Sequence, residues 1–241
     1  MSVEGPAGAS GSATGEGASE IPESREARRR FVLAHTERLQ PPHVPELALR
    51  LASEAFDLWR LTEEDLARAG LPPPFWAFAW AGGQALARFV LDRPETVRGR
   101  TVLDLASGSG LVALAAARAD AARVLAVDID PFAREAAEIN AAENGLRIEV
   151  LDADLVGSPV EADIVLAGDV FYDAPFARRL VPWFDELTAG GCTVLVGDPG
   201  RAYLPRERAD LQASYEVPVT RALEDAEVKR THVWRWRGRP G

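Results

Sequence analysis

Cysteine, methionine and histidine are scarce in this chain, and long apolar runs are missing. Its 241 residues include one cysteine, Cys192, one methionine and three histidines. A single cysteine excludes an intramolecular disulfide and fits a reducing compartment, and the scattered histidines give no metal-ligand spacing, so we expect no metal. No apolar run approaches the roughly 20 residues that cross a bilayer, and no apolar signal core begins the chain. We therefore expect a soluble, cytoplasmic protein without a membrane partner.

Basic charge is also in short supply. The chain has 27 lysines and arginines against 37 acids, a net charge of -10, and a pI of about 4.9. Broad nucleic-acid binding needs a basic face that neutralises phosphates, so we expect no nucleic-acid partner. A Ser-His-Asp arrangement with a nucleophile elbow is absent as well. The apolar share of 47% is enough for a real core, and we expect a monomer.

The sequence divides into three parts. Residues 1–24 are mainly Gly, Ala, Ser and Glu, which cannot bury enough surface to offset their ordering entropy, and we predict a disordered tail. Residues 25–82 are a predicted cap, with a helix over 25–39, an extended segment over 45–52 and a helix from Thr62 to Gly70. Residues 83–241 form the predicted main domain.

Strand and helix patterns alternate in the main domain. Predicted strands cover residues 101–105, 124–128, 148–151, 164–167 and 192–197, and predicted helices cover 84–91, 111–119, 131–144 and 176–189. This alternation implies a mostly parallel sheet with helices on both faces. Strands at 213–219 and 232–237, with no clear helix between them, predict an antiparallel edge hairpin. The predicted fold class is thus α/β, Rossmann-like, with a seven-stranded sheet.

A glycine-rich turn joins the first predicted strand of the main domain to a helix. It reads Asp104-Leu-Ala-Ser-Gly108-Ser-Gly110. Glycines let the backbone approach a ligand with positive φ, and the helix N-terminus adds N–H donors. Gly108, Gly110 and Ala113 also satisfy the dinucleotide fingerprint, and Asp128 can accept the ribose hydroxyls. The turn alone fits either a nicotinamide dinucleotide or S-adenosylmethionine.

The charge at Asp104 separates these two cofactors. Asp104 lies near the end of its strand, where a diphosphate would pass. A carboxylate there repels a diphosphate but attracts the ammonium and sulfonium groups of S-adenosylmethionine. We therefore favour the methyl donor. The alternative is that Asp104 serves only the local turn.

Further acids follow the next two strands. Asp128 and the adjoining Ile129 are predicted cofactor residues, whereas Asp130 precedes Pro131 and suits a helix N-cap. Asp152 and Asp154 follow the third strand of the domain. One of them meets the adenine amino group, or both are solvated turn acids.

A second motif, Gly168-Asp169-Val-Phe171-Tyr172-Asp173, leaves the fourth strand beside the glycine turn. Methyl transfer requires a nucleophile held in line with the methyl carbon. A lysine nucleophile must first lose a proton, and a carboxylate can attract its ammonium while aromatic surroundings lower its pKa. We predict catalytic roles for Asp169, Phe171, Tyr172 and Asp173. The alternative is that the aromatics are core and the acids cap the next helix.

With these residues the chain resembles the seven-strand class I methyltransferases. More narrowly, it resembles the lysine methyltransferases of the electron transfer flavoprotein β subunit, whose bacterial relatives are often labelled nicotinamide N-methylases. The resemblance covers about residues 45–200. Its specific motifs are Pro74-Phe75-Trp76, Trp80-Ala-Gly-Gly83-Gln84, Val97-Arg-Gly-Arg-Thr-Val-Leu-Asp104, Asp128-Ile-Asp-Pro, Gly168-Asp169-Val-Phe171-Tyr172-Asp173 and Gly197-Asp198-Pro-Gly-Arg201.

The resemblance implies S-adenosylmethionine as cofactor and the flavoprotein β subunit as protein substrate. Trp80 would border the cofactor, Asp128 would hold its ribose, and Asp169 to Asp173 would face the target lysine. The set predicted to bind the cofactor is Trp80, Asp104, Ser107, Gly108, Gly110, Asp128, Ile129, Asp152 and Asp169. The open alternatives are methylation of another protein or of a small nitrogen heterocycle, a nicotinamide-dependent oxidoreductase, and a catalytically silent cofactor-binding protein.

Overall fold

The computed structural model describes residues 24–52, 73–219 and 227–238, which form a mixed α/β fold. The helices are α1 (Arg25–His35), α2 (Ala81–Asp92), α3 (Leu111–Arg118), α4 (Pro131–Glu143) and α5 (Ala174–Ala189). The strands are β1 (Glu37–Leu39), β2 (Leu49–Leu51), β3 (Thr101–Leu105), β4 (Arg123–Asp128), β5 (Glu149–Asp152), β6 (Ile164–Gly168), β7 (Thr193–Asp198), β8 (Ala209–Pro218) and β9 (Val228–Trp236). Among these helices, none is long and apolar enough to cross a bilayer.

A sheet of seven strands forms the centre of the described residues. Its order is β5-β4-β3-β6-β7-β9-β8. The first five strands run parallel, and β9 runs antiparallel to both β7 and β8. The predicted mostly parallel sheet with an antiparallel edge hairpin is therefore confirmed.

Strand β3 shows why helices cover both faces of the sheet. Val102 packs in a core with residues of α2 and α3, whereas Leu103 and Leu105 pack in a second core with residues of α5. Side chains alternate between the faces of a strand, so a strand that is apolar on both sides must be buried on both. Asp104 shares the face of Val102, and this places a carboxylate next to α3.

The segment before α2 packs along α4. Val32 of α1 shares a small core with Trp76 and Phe132, and Arg25 reaches the fully buried Glu135 with an N–O distance of 3.1 Å. The short strands β1 and β2 pair with each other in antiparallel register. These contacts bring the aromatic residues that precede α2 to the same edge of the sheet as the glycine turn.

Most predicted elements agree with the structure, but the boundaries differ at both ends. The predicted helix over 25–39 stops at His35, because Thr36 is extended and the next residues pair as β1. The segment predicted as extended over 45–52 contains only the three-residue strand β2, and Ser24, predicted as tail, is the N-cap of α1. The edge strands β8 and β9 begin four residues earlier than predicted, since exposed polar residues weaken their apolar pattern. The helix predicted from Thr62 to Gly70 and the tail up to residue 23 lie outside the described residues.

Glycines let the start of α2 lie directly on the ends of β6 and β7. A Cβ at Gly82 would be 2.3 Å from the Gly197 carbonyl oxygen, and a Cβ at Gly168 would be 2.8 Å from the Gly83 Cα. Side chains at these positions would collide with backbone, so the close approach depends on their absence. It brings the first N–H groups of α2 to the carboxyl ends of the strands.

Candidate active site

A cavity of about 510 Å³ opens at the carboxyl ends of β3, β4 and β6. This volume is typical of sites for small molecules. In an open α/β sheet such a cavity forms where the strand order reverses, and here β3 lies between β4 and β6. Its walls are the glycine turn after β3, the loops after β4, β5 and β6, and the aromatic stretch before α2.

The glycine turn bends through positive φ angles. Gly108 lies on the cavity wall with φ +51°. Gly110, with φ +79°, is the N-cap of α3, and a Cβ on it would lie 3.0 Å from the Ala137 Cβ. Gly110 thus shapes the turn and its packing on α4. The hydroxyl oxygen of Ser107, also a wall residue, is buried and lacks a hydrogen-bond partner among the described residues.

Asp104 is a buried acid on the same wall. Its side chain is almost fully buried, and one oxygen accepts the Ala113 N–H of α3 at 2.9 Å. Burial raises the pKa of Asp104 to about 8; the Ala113 hydrogen bond opposes this shift, and the charge of Asp128 adds to it. A cation in the cavity would relieve the cost of ionising this buried carboxyl.

Asp128 connects the loops after β3 and β4. Its oxygens accept the Gly108 N–H at 2.8 Å and the Asp130 N–H at 3.0 Å, and burial raises its pKa. Ile129 is 67% exposed at the cavity wall. Asp130 caps α4 by accepting the Phe132 N–H at 2.8 Å, which confirms its predicted capping role.

The two acids after β5 take different positions. Asp154 lines the cavity and pairs with Arg179 at 2.6 Å. Asp152 is exposed and pairs with Arg134 of α4 at 3.1 Å, away from the cavity wall. Of the two candidates the structure thus brings Asp154 to the cavity wall, because β5 ends at Asp152 and Asp154 lies in the loop that follows it.

Asp169 is held on the cavity wall from several sides. Its backbone takes a positive φ of +58°, and its N–H donates to the Gly197 carbonyl at 2.9 Å. One carboxylate oxygen accepts the Gly82 N–H at the start of α2, and the other accepts Arg201 Nε at 2.8 Å. The carboxylate therefore has a fixed orientation, and the N-terminus of α2 favours its negative charge.

The three residues that follow in the same motif separate. Phe171 is fully buried, stacked at 6.1 Å on Trp236, in the core with α5. Asp173 is the N-cap of α5 and accepts the Phe176 N–H at 2.8 Å. Phe171 and Asp173 therefore take the positions that the alternative interpretation of the motif gave them, since one side chain points into the core and the other satisfies a helix end.

Tyr172 remains at the cavity as part of an aromatic wall. It is 51% exposed, and its ring lies 5.5 Å from that of Phe75. Burial of its hydroxyl, with the charges of Asp173 and Asp128, raises the pKa of Tyr172. Trp80, which also lines the cavity, donates from its indole nitrogen to the Phe75 carbonyl at 2.9 Å. These rings form a largely apolar wall of the cavity, whereas the acids form a polar one.

Arg179 and Arg201 line the cavity although neither was a predicted site residue. Arg179 lies on a helix face and carries no sequence signal for the cavity. Arg201 ends the motif Gly197-Asp198-Pro-Gly-Arg201, and a turn motif directly after a strand was the signal that could have placed it at the sheet edge.

Several known proteins are similar to this chain in sequence or in fold. The profile of the ribosomal protein L11 methyltransferase family matches residues 85–190. A Xenopus laevis protein named electron transfer flavoprotein beta subunit lysine methyltransferase is 44% identical over 180 residues, 72% of this chain and 71% of its own. The Danio rerio protein of that name is 36% identical over 220 residues, 88% of this chain and 84% of its own. The chain belongs to this methyltransferase family.

Membership of this family establishes an S-adenosylmethionine-dependent methyltransferase and sets aside the nicotinamide-dependent oxidoreductase. A crystal structure of a Thermoplasma acidophilum protein, 21% identical, has the same fold over 66% of this chain and 91% of that one, with a TM-score of 0.50. The cavity fits the cofactor: the buried Asp104 and the half-buried Asp128 suit its cationic groups and ribose hydroxyls, and the Ser107 hydroxyl, which has no partner among the described residues, can take a hydrogen bond.

Proposed function

We propose that this chain methylates a lysine side chain of the electron transfer flavoprotein β subunit. The names of relatives 36 to 44% identical to it support this substrate. The observation that carries the proposal is the fixed carboxylate of Asp169 on the cavity wall, next to the half-exposed Tyr172. An anion beside aromatic rings suits a long side chain that ends in an amine.

We assign the cofactor to the side of the cavity built by the loops after β3, β4 and β5. Asp128 would hold the ribose, and Asp104, Ser107 and Gly108 the methionine end, with the turn shaped by Gly110. Trp80, Ile129 and Asp154 would border the rest of the cofactor, and Asp169 would separate it from the substrate; each except Gly110 lies on the cavity wall. When bound, S-adenosylmethionine supplies a methyl group on a cationic sulfur.

Asp169 would orient the target amine. The hydrogen bonds from Gly82 and Arg201 fix the orientation of its carboxylate, and a carboxylate oxygen can accept from more than one donor. Tyr172 and Phe75 would pack along the aliphatic stem of the lysine and exclude water from it. The nitrogen must be unprotonated to accept a methyl group, so its proton leaves to water at the mouth of the cavity. The rate then depends on how well these side chains hold the nitrogen in line.

Labelling with a radioactive methyl donor tests this function. Purified protein is added to lysate from a strain that lacks the gene, and we expect one labelled band at the flavoprotein β subunit, with lysine methylation by mass spectrometry. Asp169→Asn should lower turnover about 100-fold, because the amine loses its orienting partner, and should keep the affinity for S-adenosylhomocysteine. Unchanged turnover would remove Asp169 from the mechanism. The single lysine of the chain, Lys229, allows Lys229→Arg to exclude self-methylation as the signal.

Ribosomal protein L11 is the second candidate substrate. The family profile that matches residues 85–190 carries that name. In the same labelling experiment a band at L11, with none at the flavoprotein subunit, would favour it. Label confined to small molecules would favour a nitrogen heterocycle instead.

We propose further that the protein acts in the cytoplasm as a monomer, without nucleic-acid or membrane partners. In this proposal residues 25–82 form a cap on the methyltransferase domain of residues 83–241, preceded by the tail of residues 1–24. The net charge of -10 supports the lack of a nucleic-acid partner. Light scattering tests the monomer, for which the expected mass is 26.0 kDa; twice that mass would contradict it.

A further inference from the structure

Arg201 already occupies one side of the Asp169 carboxylate. Its Nε and Nη2 lie 2.8 Å and 2.6 Å from the same oxygen, Oδ1. The Arg201 side chain is 24% exposed and lines the cavity. An incoming amine would therefore meet the Asp169–Arg201 ion pair and not a carboxylate alone.

The turn after β7 fixes Arg201 in this position. The Asp198 side chain accepts the Gly200 N–H at 2.6 Å and the Arg201 N–H at 2.8 Å. Asp198 is fully buried, and Gly200 turns the chain with φ +98°. Side-chain acceptance of two successive N–H groups makes a tight local turn. The backbone of Arg201 is thus set by its own loop.

Asp169 is held in place by groups other than Arg201. The Gly82 N–H binds its second carboxylate oxygen, and the backbone N–H of Asp169 binds the Gly197 carbonyl at 2.9 Å. The first turn of α2, packed on β7 through Gly82, supports both contacts. What Arg201 contributes in addition is a permanent positive charge, since a guanidinium stays protonated.

We propose that Arg201 is a positioning residue whose charge balances Asp169, so that the target amine enters the site and reacts in its neutral form. This inference rests on the proposed function, in which Asp169 faces the target lysine. A carboxylate without a counter-ion would stabilise the ammonium form and hold its proton, whereas a nearby guanidinium disfavours that form. The pair can therefore orient the amine through a hydrogen bond without keeping it protonated.

Other titratable groups surround this pair. The side chains that share the cavity are Asp104, Asp128, Asp130, Asp154, Tyr172 and Arg179. On the far side of the turn, Asp198 interacts with the charges of Arg201 and Arg206, and it lies in register opposite His232 of β9. Asp173 at the start of α5 lies next to Tyr172. A substitution of Arg201 leaves all of these side chains in place, and Arg201→Gln removes a charge that acts on both Asp169 and Asp198. Arg201→Lys keeps a positive charge, so the comparison of the two variants reports on that charge.

The test is the pH dependence of kcat for wild type, Arg201→Gln and Arg201→Lys. Arg208→Gln is the matched control, because the Arg208–Asp185 pair has the same 2.6 Å distance and similar exposure, 26% and 11% against 24% and 9%, away from the cavity wall. We expect the acidic limb to move up by about one pH unit in Arg201→Gln, with about a tenfold lower kcat on that limb. Arg201→Lys and Arg208→Gln should keep the limb within about 0.3 unit.

Three results would overturn the inference. They are a lower kcat in Arg201→Gln with an unmoved limb, an upward shift of the limb in Arg201→Lys, and a wild-type limb at or above about pH 10.4, the ordinary pKa of lysine. The last two decide the matter even if Arg201→Gln fails to fold, which thermal unfolding and S-adenosylhomocysteine binding would reveal. The substrate is the protein that wild type labels. If that is not the flavoprotein subunit, the proposed function fails, and the role of Arg201 is measured on the labelled protein.

Discussion

Gly82→Ala tests whether the close contact of α2 with Gly197 and Asp169 holds the site together. Its new Cβ would lie 2.3 Å from the Gly197 carbonyl oxygen and 2.5 Å from an Asp169 carboxylate oxygen. Ordinary van der Waals contact needs about 3.5 Å, so α2 must move by roughly 1 Å. Overpacking of this kind costs about 1–3 kcal/mol. The Gly197 carbonyl also accepts the Asp169 N–H, and distorting that bond adds about 1 kcal/mol.

The net effect of Gly82→Ala is a loss of about 1–3 kcal/mol in unfolding free energy, because alanine returns up to about 1 kcal/mol of helix propensity. For a chain of this length the midpoint temperature should fall by roughly 3–10 °C. Calorimetry and denaturant titration measure both quantities. Turnover should fall as well, since the N–H donor to Asp169 is displaced.

The neighbouring glycine supplies the control. A Cβ at Gly83 would have Val112 Cγ2 as its nearest contact, at 3.9 Å. Gly83→Ala should therefore be neutral or stabilising by up to about 1 kcal/mol. Equal stability of the two variants would refute the reasoning, because only one of them adds an atom where backbone already lies.

Three further predictions concern the acids and the aromatic residues. Burial raises the pKa of Asp104 to about 8, above its unfolded value near 3.9. Its contribution to the free energy of unfolding is therefore full below about pH 4 and is lost as the pH rises through 8. Asp104→Asn should flatten this decline in denaturant titrations, and identical pH profiles for the variant and wild type would contradict the raised pKa. Phe171→Ala should cost about 3–5 kcal/mol of unfolding free energy because the ring is fully buried, while Tyr172→Ala should mainly lower kcat/KM; the opposite pattern in unfolding and methylation assays would reverse their roles. Asp154→Asn should weaken S-adenosylhomocysteine binding several-fold and Asp152→Asn should leave it unchanged by calorimetry, since only Asp154 lines the cavity; a larger effect at Asp152 would contradict this placement.

Much of the fold could be predicted because its signals are local. The strand Thr101–Leu105 is a short apolar run that is buried on both faces, and the helix that begins at Pro131 has both an N-cap acid and proline in its first turn. Periodicity of two or 3.6 residues is written in consecutive residues and needs no knowledge of the partner. The predicted edge strand was shorter than the observed Ala209–Pro218, because the exposed face of this strand carries polar residues.

The residues of the candidate site likewise differ in how far their positions could be predicted from local sequence. Asp104, Gly108 and Asp128 could be placed from sequence, because the turn after a parallel strand always lies at the ligand edge of such a sheet. The directions of Phe171, Tyr172 and Asp173 could not be. Three consecutive residues of a loop go to the core, to the cavity and to a helix end, and only the surrounding packing decides which residue goes where.

What the sequence determined by itself is therefore the order of strands and helices, the glycine turn with its acids, and, through its relatives, the methyl-transfer chemistry. The tertiary structure decided how Asp169 is held. Its partners, Gly82 and Arg201, lie 87 and 32 residues away, on a helix and on a turn that meet only because glycines let α2 lie against the end of β7. The charge balance at the carboxylate depends on that close approach between distant segments, and no local pattern in the sequence encodes it.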